Sequence, residues 1–287
     1  MRLIQKIKSK LIYKEVTPLI LSNQLRNAYQ TTSIVGNSLQ GQTAFVTGAT
    51  SGIGLAIAER LLNEGCSVII SGRNKEKLEK AKRQLSQCCK LQSDSTIHTI
   101  QMDHYNYQQV KKNIINLFEK YPINIVINNA GIFSNKDSRR VFRSVSKDEY
   151  YQTVDVNLKS TILIGELAAS HMATNGGGSI LNICSICGFS TNFFHTPYGI
   201  SKTGLIAFTK KLSQQYANKG VVVNGIAPGS VATIMSQHKT NDNISSFHPL
   251  HRIIMPEEIA ALTAFMVGPI GKYLNGEIVK ASATEEV

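Results

Sequence analysis

The fold is decided by the stretch Thr47-Gly48-Ala49-Thr50-Ser51-Gly52-Ile53-Gly54 and by what flanks it. An apolar run at 43–46 precedes this stretch and a helical pattern at 55–62 follows it, which predicts a strand, a glycine-rich turn and a helix start. Glycine lets the backbone approach a ligand closely, and a helix start presents unpaired N–H groups and a positive dipole end. The element therefore predicts a dinucleotide site with its pyrophosphate at the helix start.

The end of the second apolar run supports this prediction and indicates the cofactor. The spacing Gly-x-x-x-Gly-x-Gly occurs in ordinary loops too, but about 20 residues further on a dinucleotide fold places its ribose-reading residue. The sequence there is Ser71-Gly72-Arg73-Asn74, with no acid to bind a free 2′-hydroxyl. The guanidinium of Arg73 suits the 2′-phosphate of NADP(H). The alternative is a solvated arginine at a helix start.

Seven apolar runs alternate with helix-length stretches along the chain. Short strands separated by helices of this length predict parallel pairing through right-handed crossovers. We therefore predict an α/β fold, a single Rossmann-type doubly wound domain with a parallel sheet of about seven strands. The predicted strands are 43–47, 67–71, 97–102, 123–128, 178–184, 221–226 and 276–280.

The first 40 residues differ in composition from the rest. They hold six bases and one acid, Glu15, with aliphatic residues interleaved, which is the profile of a mitochondrial transit peptide. We expect a transit peptide at 1–29, a disordered linker at 30–40 and an NADP-binding domain at 41–287, located in the mitochondrial matrix. The alternative is a cytoplasmic protein whose basic tail is disordered or lies on a membrane surface.

Charge and hydropathy exclude other classes of protein. The net charge of the chain is +12, and the first 40 residues account for five of these charges. The remaining bases are scattered over helical faces, so we expect no nucleic-acid partner. No run approaches the ~20 apolar residues of a membrane-spanning helix, so we expect no membrane span.

The five cysteines are unevenly spaced, which favours a reducing compartment over a secreted disulfide framework. Cys184 and Cys187 form a Cys-x-x-Cys pair, but no second pair or His-x₃-His accompanies it, so we predict no metal site. Oxidation of these two thiols beside Ser185 is one hypothesis for a redox switch. Ordinary buried thiols are the alternative.

Tyr198 and Lys202 stand four residues apart at a predicted helix start, so one side of the helix carries both. A nearby ammonium favours the phenolate and brings the tyrosine pKa toward the range useful for proton transfer. The chain contains a second such pair, Tyr107 and Lys111, with no glycine loop or strand end beside it. We interpret the second pair as surface or packing residues.

Together with other motifs in the chain, the pair Tyr198 and Lys202 indicates one particular protein family. The chain resembles the short-chain dehydrogenase/reductase family over about residues 41–280, most nearly its 3-oxoacyl-[acyl-carrier-protein] reductases. The resemblance makes Tyr198 the acid that protonates a substrate carbonyl, and Ser185 a hydrogen-bond donor to the same oxygen. It makes Lys202 the group that holds the cofactor ribose and lowers the tyrosine pKa, and Asn157 the residue that positions a proton-relaying water. The motifs are the glycine loop, Asn128-Asn129-Ala130-Gly131, Asn157, Ser185, Tyr198-x-x-x-Lys202 and Pro228-Gly229.

The resemblance also assigns the cofactor-binding residues. Asp103, after the third strand, would accept a hydrogen bond from the adenine amino group, although an ordinary loop acid or helix cap explains it too. The full set comprises Gly48, Ser51, Gly52, Ile53, Gly54, Arg73, Asp103, Asn129, Ala130, Gly131, Tyr198, Lys202, Pro228 and Gly229.

These residues imply NADPH-dependent reduction of a carbonyl, with a 3-oxoacyl thioester of fatty-acid synthesis as the expected substrate. The alternatives are a carbonyl, steroid or alcohol oxidoreductase of the same family and a non-catalytic cofactor-binding subunit of a larger complex. Segment 230–255 is expected to cover the substrate. Acyl carrier protein is a candidate partner, and a homo-oligomer, tetramer or dimer, is expected, although the C-terminus lacks the family's usual Asp-Gly-Gly. The bases available to an acidic carrier are Arg139, Arg140, Arg143, Lys210, Lys211 and Lys219, which a solvated surface explains equally well.

Overall fold

The structure of the chain is a computed structural model. It describes residues 39–89, 95–133, 146–189, 196–233, 235, 250 and 252–282. The predicted transit peptide, the three arginines at 139, 140 and 143, and most of the predicted substrate-covering segment lie outside the described residues.

Seven parallel strands form one sheet in the order β3-β2-β1-β4-β5-β6-β7, which confirms the predicted fold class. The strand order reverses between the central strands β1 and β4, so a crevice opens outside their carboxyl ends. All seven predicted strands are present. Their bounds are β1 Thr43–Val46, β2 Ser67–Gly72, β3 Ile97–Gln101, β4 Ile125–Asn128, β5 Gly178–Ile183, β6 Val221–Pro228 and β7 Ile278–Ala281.

Helices cover both faces of the sheet, because its buried strands are apolar on both sides. Helices α1, α2 and α7 pack on one face and α3, α5 and α6 on the other. The turn at 155–159, between α4 and α5, is π-helical. The helices are α1 Gly52–Asn63, α2 Lys75–Cys88, α3 Tyr107–Lys120, α4 Lys147–Val154, α5 Ser160–Thr174, α6 Thr196–Tyr216 and α7 Pro256–Val267.

The start of the folded domain differs from the prediction. Leu39, which we assigned to a disordered linker at 30–40, is fully buried in the core under α1. Its backbone N–H donates to the Glu64 carbonyl at 3.2 Å, and its carbonyl accepts from Gln42. The ordered domain therefore includes residue 39, because this leucine closes the end of the core where β1 begins.

Within the part of the chain that the structure describes, no helix is both long enough and apolar enough to span a membrane.

Candidate active site

The glycine loop between β1 and α1 is shaped by left-handed backbone at two positions. Gly48 has φ +64° and Gly52 has φ +57°, conformations that a side chain strongly disfavours. Ser51 caps α1 through its backbone geometry, but its exposed side chain makes no capping hydrogen bond. The hydroxyl and the first N–H groups of α1 are therefore placed to receive an anion.

Thr47 and Asn129 join this loop to the end of β4. The Thr47 hydroxyl accepts from the backbone N–H groups of Asn129 and Ala130, each at 3.0 Å. The Asn129 side-chain amide donates in return to the carbonyls of Thr47 at 2.9 Å and Gly48 at 3.1 Å. Sequence reasoning placed Asn129 beside the cofactor, and the structure shows that its amide also holds the loop in shape.

Gly54 serves packing, since it does not line the cavity that its loop borders. A Cβ at Gly54 would overlap the Asn129 amide nitrogen and lie 2.6 Å from the Gly48 carbonyl oxygen. The third glycine of the motif therefore lets the helix start press against Asn129.

A cavity of about 470 Å³ runs along the carboxyl ends of the strands. It joins the glycine loop at one end to the predicted catalytic side chains at the other. Of the predicted site residues, only Gly54 and Asn157 do not line it. Those that line it are Gly48, Ser51, Gly52, Ile53, Arg73, Asp103, Asn129, Ala130, Gly131, Ser185, Tyr198, Lys202, Pro228 and Gly229.

The structure brings Ser185 and Tyr198 together. Ser185 follows β5, and its Oγ accepts from the backbone N–H of Cys187 at 3.2 Å, which fixes the hydroxyl at the strand end. Tyr198 stands in the first turn of α6, with its ring edge-on to Phe133 at a centroid distance of 5.1 Å. Burial raises the pKa of Tyr198, and the neighbouring Cys187 adds to the rise, whereas a hydrogen bond with Ser185 opposes it.

This pKa shift runs opposite to the predicted lowering by Lys202. The Lys202 ammonium lies 5.6 Å from the centre of the Tyr198 ring and donates to the Ile183 carbonyl at 2.7 Å. Lys202 is buried, and burial lowers its own pKa. Desolvation of the phenol is therefore the largest influence on the pKa of Tyr198 in this structure.

Asn157 is fully buried in the π-helical turn, behind the cavity wall. Its Oδ1 accepts from the Ile132 N–H at 2.8 Å, and its Nδ2 donates to the Ile132 carbonyl at 2.9 Å. A Cβ built on Gly131 would lie 3.4 Å from Asn157 Oδ1 and 3.8 Å from Lys202 Nζ. Asn157 therefore fixes the strand-end segment that faces Lys202, and its predicted role with a water stays a prediction.

Arg73 and Asp103 lie at the far end of the cavity, after β2 and β3. Arg73 is exposed, and no acid stands beside it in the sequence after β2. Asp103 is half-buried, and its Oδ1 accepts from the Tyr105 N–H at 3.1 Å. The carboxylate thus caps a local turn and also lines the cavity, and its predicted hydrogen bond with the adenine amino group stays a prediction.

His104 was not found by sequence reasoning. This residue also lines the cavity, and its buried Nδ1 lies 2.7 Å from the Ser160 hydroxyl at the start of α5. Burial lowers the pKa of His104 to about 4, so the ring is neutral at physiological pH. In the sequence, His104 belongs to no motif of fixed spacing and to no hydrophobic pattern, so nothing indicated it.

The second tyrosine–lysine pair lies on the surface, as predicted. Tyr107 begins α3 with 37% of its surface exposed, and Lys159 lies over its ring at 5.3 Å. Lys111 is exposed on the same helix. An i,i+4 spacing alone therefore does not mark a catalytic tyrosine.

Cys184 is buried beside Lys202, and burial raises its pKa to about 11. A thiol held in this way reacts slowly with oxidants, which favours the interpretation as a buried thiol. Among the described residues, no group of three or more His, Cys, Asp or Glu side chains is placed to hold a metal ion.

The doubly wound sheet, the glycine loop at its switch point and the Ser185–Tyr198–Lys202 cluster in one cavity define a dinucleotide-dependent oxidoreductase. A family model described as short chain dehydrogenase matches residues 42–244. The chain belongs to this family, which confirms the predicted resemblance.

Individual relatives agree with the family assignment. A 3-oxoacyl-[acyl-carrier-protein] reductase FabG from Rickettsia bellii is 36% identical over 243 residues, which are 83% of this chain and 94% of the relative. The Aquifex aeolicus protein of the same name is 32% identical over 247 residues, 84% and 96% of the two chains. The crystal structure of a short chain dehydrogenase from Burkholderia cenocepacia in complex with NADP superposes with a TM-score of 0.74. It is 28% identical, with 86% of this chain and 98% of that chain covered.

Proposed function

We propose that this protein uses NADPH to reduce the carbonyl of a 3-oxoacyl thioester to the 3-hydroxyacyl form in fatty-acid synthesis. The observation that carries the proposal is the convergence of Ser185, Tyr198 and Lys202 at one end of a cavity that begins at the glycine loop. The names of the Rickettsia bellii and Aquifex aeolicus relatives support the thioester substrate.

The residues present fit a nicotinamide dinucleotide. The left-handed glycines leave a cradle at the helix start, and Ser51, whose hydroxyl makes no capping hydrogen bond, lines the same cavity. NADPH, when bound, supplies the hydride. Ser51 and the N–H groups of α1 would hold its pyrophosphate, and Lys202 its nicotinamide ribose.

The protein's own contribution is to bind and protonate the carbonyl oxygen. The Ser185 and Tyr198 hydroxyls would both donate to this oxygen, whose negative charge grows as the reaction proceeds. Burial raises the pKa of Tyr198, so the phenol holds its proton at neutral pH and is available as the acid. The buried Lys202 ammonium would favour the tyrosinate left after proton transfer.

The test of this mechanism is the pair Tyr198→Phe and Tyr107→Phe. We expect the first substitution to lower kcat about 100- to 10,000-fold, the range of general acid catalysis, without loss of NADPH binding. The second removes the same hydroxyl from the exposed pair and should leave turnover unchanged. NADPH oxidation with a short 3-oxoacyl thioester measures both, and equal effects of the two substitutions would contradict the assignment.

The preference for NADPH rests on Arg73, which is exposed at the cavity's far end. A charge-assisted hydrogen bond to the 2′-phosphate contributes about 1.5–3 kcal/mol. Arg73→Ala should therefore lower kcat/KM for NADPH about 10- to 100-fold and leave the value for NADH nearly unchanged. An unaltered ratio of the two values would show that the arginine is only solvated.

The substrate is tested separately from the cofactor. Turnover of 3-oxoacyl thioesters but not of simple ketones or steroids would support the proposal. Tight NADPH binding with no turnover of any carbonyl would favour a non-catalytic subunit, as would stoichiometric co-purification with a large complex.

We propose acyl carrier protein as the thioester donor, because Lys210, Lys211 and Lys219 are exposed on and after α6. Lys219→Glu should raise KM for the carrier-linked substrate and leave KM for a small thioester unchanged. If the wild type and Lys219→Glu have equal KM values for the carrier-linked substrate, acyl carrier protein does not bind at this lysine.

Location in the mitochondrial matrix and assembly into a homo-oligomer, tetramer or dimer, are further proposals. The basic, acid-poor sequence before residue 40 supports the location. Import of the full chain into isolated mitochondria with loss of the leader tests it, and sedimentation equilibrium tests the assembly.

A further inference from the structure

Two adjacent cysteines lie at the end of α2, away from the cavity. Cys88 is the last residue of the helix and is exposed, whereas Cys89 is buried with 8% of its surface accessible. Their sulfur atoms are 3.9 Å apart. The pair thus combines one accessible thiol with a second directly behind it.

Adjacent side chains rarely meet in regular structure. In a helix they diverge by about 100° and in a strand they point to opposite faces. Here the chain leaves the helix at Cys89, whose ψ of 137° is extended. This change of backbone turns the second sulfur back toward the first, while Cys89 Sγ also lies 3.8 Å from the Glu59 carbonyl of α1.

We propose that Cys88 and Cys89 form a dithiol site that chelates a monosubstituted trivalent arsenical. An arsenoxide R–As=O condenses with both thiols, so that two As–S bonds form, the As=O bond breaks, and its oxygen leaves as water with the two thiol protons. No atom is oxidised or reduced in this step. Burial is the main cause that raises the pKa of both thiols, so both are protonated in the free protein and supply the two hydrogen atoms of the water that leaves.

The geometry favours this ligand over a metal ion or a disulfide. Two sulfurs bound to the same atom must lie less than two bond lengths apart, and the 3.9 Å between the Sγ atoms of Cys88 and Cys89 meets this condition. A zinc ion needs four ligands, and the described residues contain no group of three metal-binding side chains. Adjacent Cα atoms are about 3.8 Å apart, below the usual separation of about 4.4–6.8 Å across a disulfide.

The site is separate from the catalytic cavity. Helix α2 has 14 residues and begins just after Arg73, so at 1.5 Å per residue its end lies about 20 Å from that rim of the cavity. Neither cysteine lines the cavity. An arsenical on this pair should therefore leave the route of NADPH open.

The experiment is a titration of the full chain with phenylarsine oxide, followed by intact-mass spectrometry and by counting the thiols that remain reactive. The wild type should bind one equivalent and lose two thiols. Cys88→Ser should weaken binding at least about 100-fold, because one sulfur loses the effective concentration of a chelate. Since Cys88 is exposed, this substitution does not threaten folding, and Cys89→Ala gives a second, independent test.

The control is the double variant Cys184→Ala/Cys187→Ala, which removes the other cysteine pair and should bind as the wild type does. Wild-type affinity in Cys88→Ser, or loss of binding only in the control, would overturn the proposal. Turnover of the Cys88→Ser protein should be unchanged, so a failure here is distinct from any failure of the proposed function.

Discussion

Gly54→Ala adds one methyl group at the point where the glycine loop meets β4. Gly54 does not have a positive φ, so its requirement for glycine is one of space. The new Cβ would overlap the Asn129 amide nitrogen and lie 2.6 Å from the Gly48 carbonyl oxygen. Asn129 must then move, and its bonds to the Thr47 and Gly48 carbonyls, at 2.9 and 3.1 Å, are lost or lengthened.

The expected cost follows from these contacts. Each of the two hydrogen bonds contributes about 1 kcal/mol net, and the extra methyl group adds about 1 kcal/mol or more of overpacking. We therefore expect about 3 kcal/mol of lost free energy of unfolding. Because the displaced loop is the proposed pyrophosphate site, the loss of about one hydrogen bond to the cofactor should also weaken NADPH binding about tenfold.

Urea unfolding followed by circular dichroism measures the first quantity, and NADPH fluorescence titration the second. The control is Gly176→Ala, where φ is +87° and a Cβ would meet nothing within 4 Å. It should cost about 1 kcal/mol of backbone strain and leave cofactor binding unchanged. If Gly54→Ala unfolds within about 0.5 kcal/mol of the wild type and binds NADPH equally well, the reasoning on Asn129 is refuted.

Three other predictions concern pH, cofactor binding and the domain boundary. His104 has its pKa lowered to about 4 by burial, so the unfolded chain binds more protons between about pH 4 and 6.5, and stability should fall as pH drops through this window. His104→Gln should flatten that part of a plot of urea midpoints against pH, and an unchanged slope would contradict a buried neutral ring. Arg252→Met breaks the bidentate pair with Glu258, at 2.6 and 2.8 Å. Glu258 also accepts from the Met255 N–H, next to Ile254, whose backbone pairs with segment 230–233 at the cavity. We expect KM for NADPH to rise about 5- to 30-fold at similar kcat, and a change in kcat alone would count against this positioning role. Leu39→Ala should lower the free energy of unfolding, measured in urea, by about 2–5 kcal/mol. A loss under about 0.5 kcal/mol would mean that residue 39 belongs to the predicted linker.

The sheet was predictable because its strands are buried on both faces and so read as short apolar runs between helices. The glycine loop and the tyrosine–lysine pair were predictable for a similar reason, since each has a fixed spacing at a strand end or helix start. Tyr107 and Lys111 show the limit of such spacing. The same spacing lies on the surface there, and neither residue lines the cavity.

Contacts between distant segments were not predictable from the sequence. Leu39 is a single apolar residue in a polar stretch, and only the packing of α1 over it makes it part of the core. The bond between His104 and Ser160 joins residues 56 positions apart, and neither belongs to a motif. Gly54 was assigned to the cofactor because it stands in the glycine motif, although its neighbour in space is Asn129.

The pKa of Tyr198 shows why the direction of a shift needs the structure. The sequence fixes the spacing between the phenol and the ammonium along a helix. It does not show how far burial removes water from the phenol. In the structure desolvation is the largest influence, and it raises the pKa of Tyr198 while lowering that of Lys202. Both shifts disfavour the charged forms, so the tyrosine keeps its proton. This shift suits a general acid, because a tyrosine must be protonated before the reaction in order to donate a proton to the carbonyl oxygen.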